Sequence, residues 1–275
     1  MKTNKWMACI ALLTALGLTA CSAQDDGLDT PSEAQQGQLM LNLSSGTNFS
    51  DETRAVNEET YKNVSNYTVQ ILDKDKNSIL ECKGSELASK IPISLPIGSC
   101  TVKAYYGTES AASRDIFFVY GEGAGTIEPN KEETITVNCI PTCGRVKVAF
   151  SSDMANYFKD YKVEFSGTQK LAGDKFTWNK GDSDPWYVYV NDGGETIDFT
   201  ITTTTHDDYV NADNKAQTST QTGRFTLKRN KAYKMNVNSS YNPSYPEDGS
   251  VGINITIDES TNDINEDIEV PVTWI

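Results

Sequence analysis

The sequence predicts an all-β protein built of β-sandwiches, and three observations predict it. Apolar and polar residues alternate with a period of two in many short runs, as in Leu39–Leu43 and Ile253–Ile257, which is typical of half-buried strands. Turns rich in Gly, Asn, Asp and Pro separate these runs. No long segment carries a helical period, and only SELASK, residues 85–90, favours a single helical turn. A chain of short strands and turns is typical of sandwich folds.

The predicted strands follow one another along the chain, each with one apolar face. In RVKVAF (145–150), Arg145 and Lys147 are expected to point away from that face. The final strand carries Pro271 on its outward face, so it is expected at a sheet edge or a bulge. It either closes its own domain, which we favour, or adds to a neighbour's sheet. The apolar faces are Leu39/Leu41/Leu43, Tyr67/Val69/Ile71, Val146/Val148/Phe150, Tyr161/Val163/Phe165, Ile197/Phe199/Ile201, Ile253/Ile255/Ile257 and Ile268/Val270/Val272/Trp274.

Two domains are predicted, with their boundary at NCIPTCGR, residues 138–145. Pro141 and Gly144 interrupt the strand that ends at Cys139, and a new strand begins at Arg145. We therefore expect one sandwich over residues 38–140 and another over residues 144–275. A single larger sandwich is the alternative.

The chain is strongly acidic, with a formal net charge of −14. No Lys or Arg follows Lys234, whereas acidic residues continue as far as Glu269. A chain of this charge is repelled by nucleic acid and by anionic lipid headgroups. Composition therefore excludes nucleic acid as a partner and excludes a basic patch as the means of membrane attachment.

The cysteines leave the disulfide question open. Apart from Cys9 and Cys21 near the start, the chain contains Cys82, Cys100, Cys139 and Cys143, and four cysteines allow three pairings. Cys100 and Cys139 lie on apolar strand faces, where a free thiol packs as a small hydrophobic group; a bridge between these two is the alternative. The spacings are irregular and the chain has one histidine, so we expect no zinc site.

The first residues predict an export signal. Lys2 and Lys5 precede a mostly apolar run from Trp6 to Leu18. That run of about 13 residues suits a signal peptide, whereas a spanning helix needs roughly 20. The stretch from Leu18 to Cys21 resembles a bacterial lipobox, in which the thiol is diacylated and the chain is cut just before it. Residues 1–20 are therefore predicted to be removed, with Cys21 as the lipid attachment site; an ordinary secretory signal is the alternative.

Residues 21–37 are polar and carry Gly27, Pro31 and Gly37 without an apolar period. This composition predicts a flexible tether. Ser22 follows the cysteine, and by analogy with other lipoproteins the absence of Asp there argues against retention in the inner membrane. SAQDD (22–26) resembles the surface-export signal of Bacteroidetes lipoproteins. The resemblance implies an outer-membrane, lipid-anchored protein exposed at the cell surface.

Four features in order resemble a known group: the lipobox, the strand GQLMLNLS (37–44), the arginine in DETRAV (51–56), and IPISLPIGSCTVKAYYG (91–107) leading to RDIFFVYGEG (114–123). The chain resembles an uncharacterised family of Bacteroidetes surface lipoproteins that is similar to the fimbrillins. The segment LPIG-x-x-TVKA-x-YG is the most specific part. The resemblance implies two tandem transthyretin-like β-sandwich domains and a role at the surface or in a pilus.

The resemblance also marks an arginine. In fimbrillins the first strand of the precursor is cut off after an arginine, and the vacated groove accepts a strand from the next subunit. The matching position is Arg54, between Leu39–Leu43 and Tyr67–Leu72. Acidic residues and Asn57 flank it, which favours an exposed loop of the kind that proteases cut readily. Like subunits joined by strand exchange are the implied partners; an uncut arginine in a solvated loop is the alternative.

No group of catalytic residues stands out in the sequence. The lone His206 has no recognisable triad partners, and adjacent acids such as Asp207 and Asp208 point to opposite faces of a strand. No glycine-rich phosphate loop occurs. The sequence therefore predicts a non-enzymatic surface lipoprotein without a cofactor, either a fimbrillin-like pilus subunit or an adhesin of the cell surface.

The alternative function is that of a glycan-binding lipoprotein in a carbohydrate-uptake system. TWNKGDSDPWYVYV (177–190) contains Trp178, Trp186 and Tyr187, and exposed aromatic rings can stack on sugars. These three are the candidate glycan contacts. In the other interpretation, Trp186 and the valines after it face the core while Tyr187 and Tyr189 are half exposed.

Overall fold

Strands occupy most of the chain in the structure, a computed structural model that describes residues 35–49, 56–207, 216–241, 251–260 and 266–269. The all-β prediction is confirmed. The turn predicted at SELASK is a short helix, α2 (Gly84–Leu87); α1 covers Glu59–Lys62 and α3 covers Met154–Tyr157. Short 3-10 helices cover Val64–Asn66 and Gln169–Leu171.

The strands fall into two consecutive groups. The first group is β1 (Gln36–Ser45), β2 (Thr68–Leu72), β3 (Ser78–Lys83), β4 (Ile93–Pro96), β5 (Gly98–Gly107), β6 (Ala112–Ser113), β7 (Phe118–Ile127) and β8 (Glu132–Pro141). The second group is β9 (Cys143–Phe150), β10 (Phe158–Ser166), β11 (Phe176–Asn179), β12 (Trp186–Tyr189), β13 (Glu195–Thr205), β14 (Thr218–Leu227), β15 (Ala232–Tyr241), β16 (Val251–Ser260) and β17 (Glu266–Glu269).

The described strands form three sheets. One has the order β3-β2-β5-β7-β8-β1-β4, the second β11-β10-β13-β14, and the third β17-β16-β15-β9-β12-β6. The short strand β6 pairs antiparallel with β12. A strand from the first group thereby extends a sheet of the second group, and the two groups are joined by backbone pairing.

The pairing pattern occurs twice along the chain. In the first half, β1 runs parallel to β8 and antiparallel to β4; in the second, β9 runs parallel to β15 and antiparallel to β12. The series β3-β2-β5-β7 corresponds to β11-β10-β13-β14. The chain thus contains two copies of one strand arrangement, and the boundary between them lies between Pro141 and Cys143. Division into domains at 38–140 and 144–275 stays a prediction, because both halves belong to one compact unit.

Each half has its own apolar core. Leu39, Tyr67 and Val102 lie in the core of the first half, and Trp178 and Phe199 in that of the second. The first core also takes in Cys143, Tyr187 and Ala232 from the second half. Complete burial of a large apolar side chain contributes about 1.5–3 kcal/mol, so the shared residues help to hold the halves together.

The final described strand, β17, is the edge strand of a sheet formed mainly by the second half. Ile268 in β17 pairs with Ile257 in β16, and the two strands run antiparallel. The preference for a final strand that closes its own domain over one that adds to a neighbour's sheet stays a prediction. Pro271 and Trp274 lie outside the described residues.

The two glycines of the YGEG motif allow β7 to lie close against β8. A Cβ atom on Gly121 would lie 2.7 Å from the carbonyl oxygen of Asn138, and one on Gly123 would lie 2.9 Å from that of Thr136. Only Val119 and Tyr120 pair with the end of β8. Beyond these two residues β7 has no ladder pairing with β8. Its backbone still lies so close to β8 that side chains at Gly121 and Gly123 would not fit.

The four cysteines of the described residues are free and buried. The Cys139 thiol donates to the carbonyl oxygen of Ala104 over 3.5 Å, and the alternative bridge from Cys139 to Cys100 is not formed. Burial raises the pKa of each thiol, that of Cys139 to about 12. These groups are inert packing elements in the folded protein.

We expect Gly121→Ala to lower the free energy of unfolding by about 1–3 kcal/mol, because the new methyl group overlaps the backbone of β8. Urea denaturation followed by circular dichroism measures it. Gly193→Ala is the matched control, since a Cβ there meets nothing within 4 Å. Equal stabilities for the two variants would contradict the close approach of β7 to β8.

The native fragment 22–275 is expected to react slowly with a thiol reagent at pH 8, because the thiolate is the reactive form and burial keeps each thiol protonated. In denaturant the same protein should release four equivalents at once. Fast reaction in the native state would contradict the burial of these side chains. Fewer than four equivalents in denaturant would show that a disulfide had formed.

Candidate functional site

The candidate processing segment is residues 50–55, which contain Arg54 and lie outside the described residues. Both of its flanks are described, and both are buried. Phe49 before it is 0% exposed and Val56 after it is 4% exposed. The segment therefore connects two points that are held in the core of the first half.

The strand before the segment is an inner strand of its sheet, second from the edge. β1 lies between β8 and β4, and its residues Gln38 to Ser45 face Glu132 to Cys139 of β8 in a parallel register. Leu39 and Leu41 are buried in the first core. Its other edge pairs with β4 only over Gln36–Leu39, so the ladder with β8 supplies most of the backbone pairing that holds β1 in this sheet.

One asparagine fixes the chain as it leaves β1. The Asn230 amide nitrogen donates to the carbonyl oxygen of Gly46 over 2.6 Å, and its amide oxygen accepts from the backbone N–H of Asn48 over 2.8 Å. Asn230 lies in the turn between β14 and β15 and has a φ of 57°, which Asn tolerates better than most residues. The exit from β1 is thus attached to the second half.

Phe49 lies in an aromatic cluster at the junction of the halves. Its ring centroid is 5.5 Å from that of Phe117 and 5.7 Å from that of Tyr187. The guanidinium of Arg145 lies 5.6 Å from the same ring, within the range of a cation–π contact. Phe117 in turn stacks on Tyr61 at 3.7 Å. The last described residue before the segment is therefore packed on all sides.

A buried ion pair lies just after the segment. One carboxylate oxygen of Glu58, Oε1, accepts from Arg145 Nη1 over 3.1 Å and from the Tyr187 hydroxyl over 2.7 Å. Glu58 and Arg145 are both buried. Glu58 belongs to the first half, whereas its two partners lie on β9 and β12 of the second. The pair therefore fixes the position of the chain after the segment relative to the second half.

These contacts determine what a cut in the segment would do. Phe49 on one side and Glu58 on the other both contact Arg145 and Tyr187. A cut would leave both flanks in place, since neither depends on the peptide bonds between them. β1 would then be held by its ladders and side chains alone.

The sequence did not reveal this junction. Arg145 was expected on the outward face of β9, and it is buried because that face is covered by the first core. Glu58 and Asn230 carried no signal beyond being polar residues near a loop and a turn. The alternation in RVKVAF correctly places Val146 and Val148 in the second core.

The candidate glycan contacts are placed inside the protein. Trp178 is 0% exposed and Tyr187 is 1% exposed, so the expectation that Tyr187 is half exposed is wrong. The middle of β12 is covered on both faces, because Tyr187 lies in the first core while Val188 lies in the second. Neither buried ring presents a face to a sugar.

Trp186 is only partly buried, but its ring already packs against an arginine. The guanidinium of Arg114 lies between Trp178 and Trp186, at 5.0 and 4.8 Å from the two rings. Asp182 accepts from Arg114 over 2.5 Å, and Trp186 Nε1 donates to the carbonyl oxygen of Thr177 over 3.2 Å. The two tryptophans hold an arginine from the first half.

The part of the chain that the structure describes contains no cluster of His, Cys, Asp and Glu side chains able to hold a metal ion. Within the same residues, no helix has the length and apolar character to cross a membrane. Cys21 precedes the described ranges, and its lipidation stays a prediction.

The fold and junction define a class: an all-β protein of two repeated strand arrangements, whose first described strand lies between two others in its sheet. Residues 35–272 match the family described as a domain of unknown function, DUF4493. The chain belongs to this family. The family resemblance stated from the sequence is confirmed. Among the curated proteins, none matches the sequence significantly.

Three solved structures illustrate what the chain is similar to. A candidate adhesin from Bacteroides ovatus is 11% identical, with 85% of this chain and 96% of that chain covered and a TM-score of 0.47. A fimbrial assembly protein from Parabacteroides distasonis is 12% identical (85% and 98% covered, TM-score 0.42). The fimbrial anchor protein Mfa2 from Porphyromonas gingivalis is 12% identical (85% and 99% covered, TM-score 0.41). Similarity at this level does not establish a shared function.

We expect Glu58→Ala to destabilise the protein by about 3–5 kcal/mol, because it removes the buried carboxylate that accepts from Arg145 Nη1 and from the Tyr187 hydroxyl. Glu59→Ala is the matched control: its ion pair with Lys62 is exposed, and such pairs contribute about 0.2–1 kcal/mol. Chemical denaturation of both variants measures the difference. Equal losses would contradict the burial of the Glu58–Arg145 pair.

Proposed function

We propose that the protein is a non-enzymatic surface lipoprotein that acts as a fimbrillin-like pilus subunit or adhesin. In this proposal, lipid on Cys21 anchors it to the outer membrane, and residues 21–37 carry the folded body away from the surface. The lipobox and the acidic tether support the anchor. A net charge of −14 leaves covalent lipid as the means of attachment, since anionic headgroups repel the chain.

One observation carries the assembly part of the proposal. The strand directly before the Arg54 segment is an inner strand that lies between β8 and the edge strand β4. A cut after Arg54 would separate this strand covalently from the remaining chain while leaving its sheet intact. The position of β1 could then be taken by a strand of a second copy that offers apolar side chains where Leu39 and Leu41 now lie.

The contacts of β1 add a condition to this scheme. Burial of Leu39, Leu41 and Phe49 contributes about 1.5–3 kcal/mol for each side chain, and Asn230 holds the exit of the strand. A cut chain therefore retains β1, and with it the lipid anchor, until another strand displaces it. Processing and exchange are two separate steps in this proposal.

The glycan-binding alternative loses its first candidate residues. Trp178 and Tyr187 are buried, and Trp186 packs on Arg114. A sugar would reach Trp178 or Tyr187 only after the residues packed around them had moved. We therefore do not place glycan binding at this segment.

An Arg-specific protease tests the assembly part on purified residues 22–275. We expect a single cut after Arg54 by intact mass, with both fragments eluting together from a native sizing column. Added subunits should then convert the cut monomer slowly into larger species, and mild urea should speed this conversion by loosening β1. Arg54→Gln is the control that should stay uncut and monomeric.

Two results would count against the proposal. Resistance of the native protein at Arg54, or a cut chain that stays monomeric in mild urea, would indicate a stand-alone anchored protein. The surface part has its own test, in which intact cells are treated with a protease that cannot enter them. A protein left whole on those cells would contradict surface exposure.

A further inference from the structure

Three aromatic side chains meet on the solvent side of the first half. Tyr105 in β5 lies directly opposite Tyr120 in β7, and Phe118 lies two residues before Tyr120, hence on the same face. The ring centroids are 6.0 Å apart for Tyr105 and Phe118 and 6.2 Å apart for Phe118 and Tyr120. All three are partly exposed, whereas the alternate residues Ala104 and Val119 are fully buried.

A row of polar side chains crosses the same sheet beside the rings. The register aligns Glu81, Gln70, Lys103 and Glu122 on four neighbouring strands. Gln70 Nε2 donates to Glu81 Oε2 over 3.3 Å, and Lys103 Nζ lies 3.9 Å from Glu122 Oε2. The Tyr120 hydroxyl donates to Glu122. Donors and acceptors therefore alternate along this row.

The aromatic row continues across the sheet with polar groups. Thr68 lies opposite Tyr105, and Lys83 lies opposite Thr68. Lys83 Nζ donates to the Thr68 hydroxyl over 3.0 Å. Strands are about 4.8 Å apart, so each row spans about 14 Å across four strands.

We propose that this surface, the tyrosine face (Tyr105, Phe118 and Tyr120 with the polar row Glu81, Gln70, Lys103 and Glu122), binds a neutral oligosaccharide. The faces of sugar rings carry C–H groups that pack on aromatic rings. Their hydroxyls both donate and accept hydrogen bonds, which matches a row of alternating donors and acceptors.

Charge and size identify this occupant. The charges of the two lysines and the two glutamates in the two rows cancel, so this surface is neutral. The chain as a whole has a net charge of −14. A polyanion would be repelled by the molecule as a whole, and a polycation would find no acidic excess on this face. A protein partner normally covers about 800 Å² on each side, far more than two rows on four strands. A few neutral sugar rings fit the charge and the width.

The inference gives the adhesin part of the proposed function a ligand class, and to that extent it rests on the proposed function. Binding by the purified protein does not require lipidation, export or a cut at Arg54. A failure to bind sugar therefore leaves those proposals standing, and a failure of those proposals leaves the sugar site standing.

The test uses purified residues 22–275 on a printed array of neutral hexose and N-acetylhexosamine oligosaccharides, with sialylated and sulfated ones for comparison. We expect binding to neutral members, at least tenfold weaker for Tyr105→Ser and Tyr120→Ser. Gln70→Ala keeps every ring and should weaken binding with no change in melting temperature. Tyr189→Ser, a partly exposed tyrosine elsewhere, should bind like the unchanged protein.

Each contrary result overturns the inference. These results are the absence of binding to any neutral oligosaccharide, a preference for the charged ones, or binding that Tyr105→Ser, Tyr120→Ser and Gln70→Ala leave intact. Should the tyrosine variants unfold, Tyr105→Phe and Gln70→Ala decide the matter, because the first retains stacking and the second removes only a hydrogen-bonding group. Binding unchanged by Gln70→Ala together with unfolded tyrosine variants would mean that the rings serve sheet stability alone.

Discussion

The junction between the halves depends on one buried ion pair. Glu58 and Arg145 have left water, and such a loss is offset only when geometry and further hydrogen bonds are good. The Tyr187 hydroxyl supplies one of those bonds, and the Phe49 ring covers the guanidinium. Because either charge alone would be costly to bury, the chain after the Arg54 segment, β9 and β12 hold one relative position.

That position explains why Arg145 in β9 and Tyr187 in β12 are buried although they lie on the face that turns away from the second core. β9 and β12 carry the second core on one side and the ion pair and aromatic cluster on the other. Two further contacts attach the first half to the second: Arg114 packs between Trp178 and Trp186, and β6 pairs with β12. The halves repeat one topology, and they share core residues, a backbone pairing and a buried ion pair.

Much of the fold was predictable because short-range alternation decides which side chains enter a core. Leu39, Val148 and Ile257 lie where their alternation placed them. The burial of Arg145 and Tyr187 was not predictable, since it depends on contacts with Glu58 and Phe49, 87 or more residues away. The tyrosine face escaped notice for a similar reason: Tyr105 and Tyr120 become neighbours only through the register of β5 and β7. The roles of Cys21 and Arg54 rest on local motifs and stay predictions.

The parallel pairing of β1 with β8 has a consequence for how the protein folds. Their facing residues are 94 positions apart, as for Ser44 and Asn138, and contacts so distant in sequence form late because a long loop must first close. Because synthesis runs from the N-terminus, β1 is complete long before β8, and Leu41 and Leu43 lack their parallel partners until β8 has been made. The nascent chain therefore passes through a state in which most of this apolar strand has no ladder partner, and such strands are prone to aggregate.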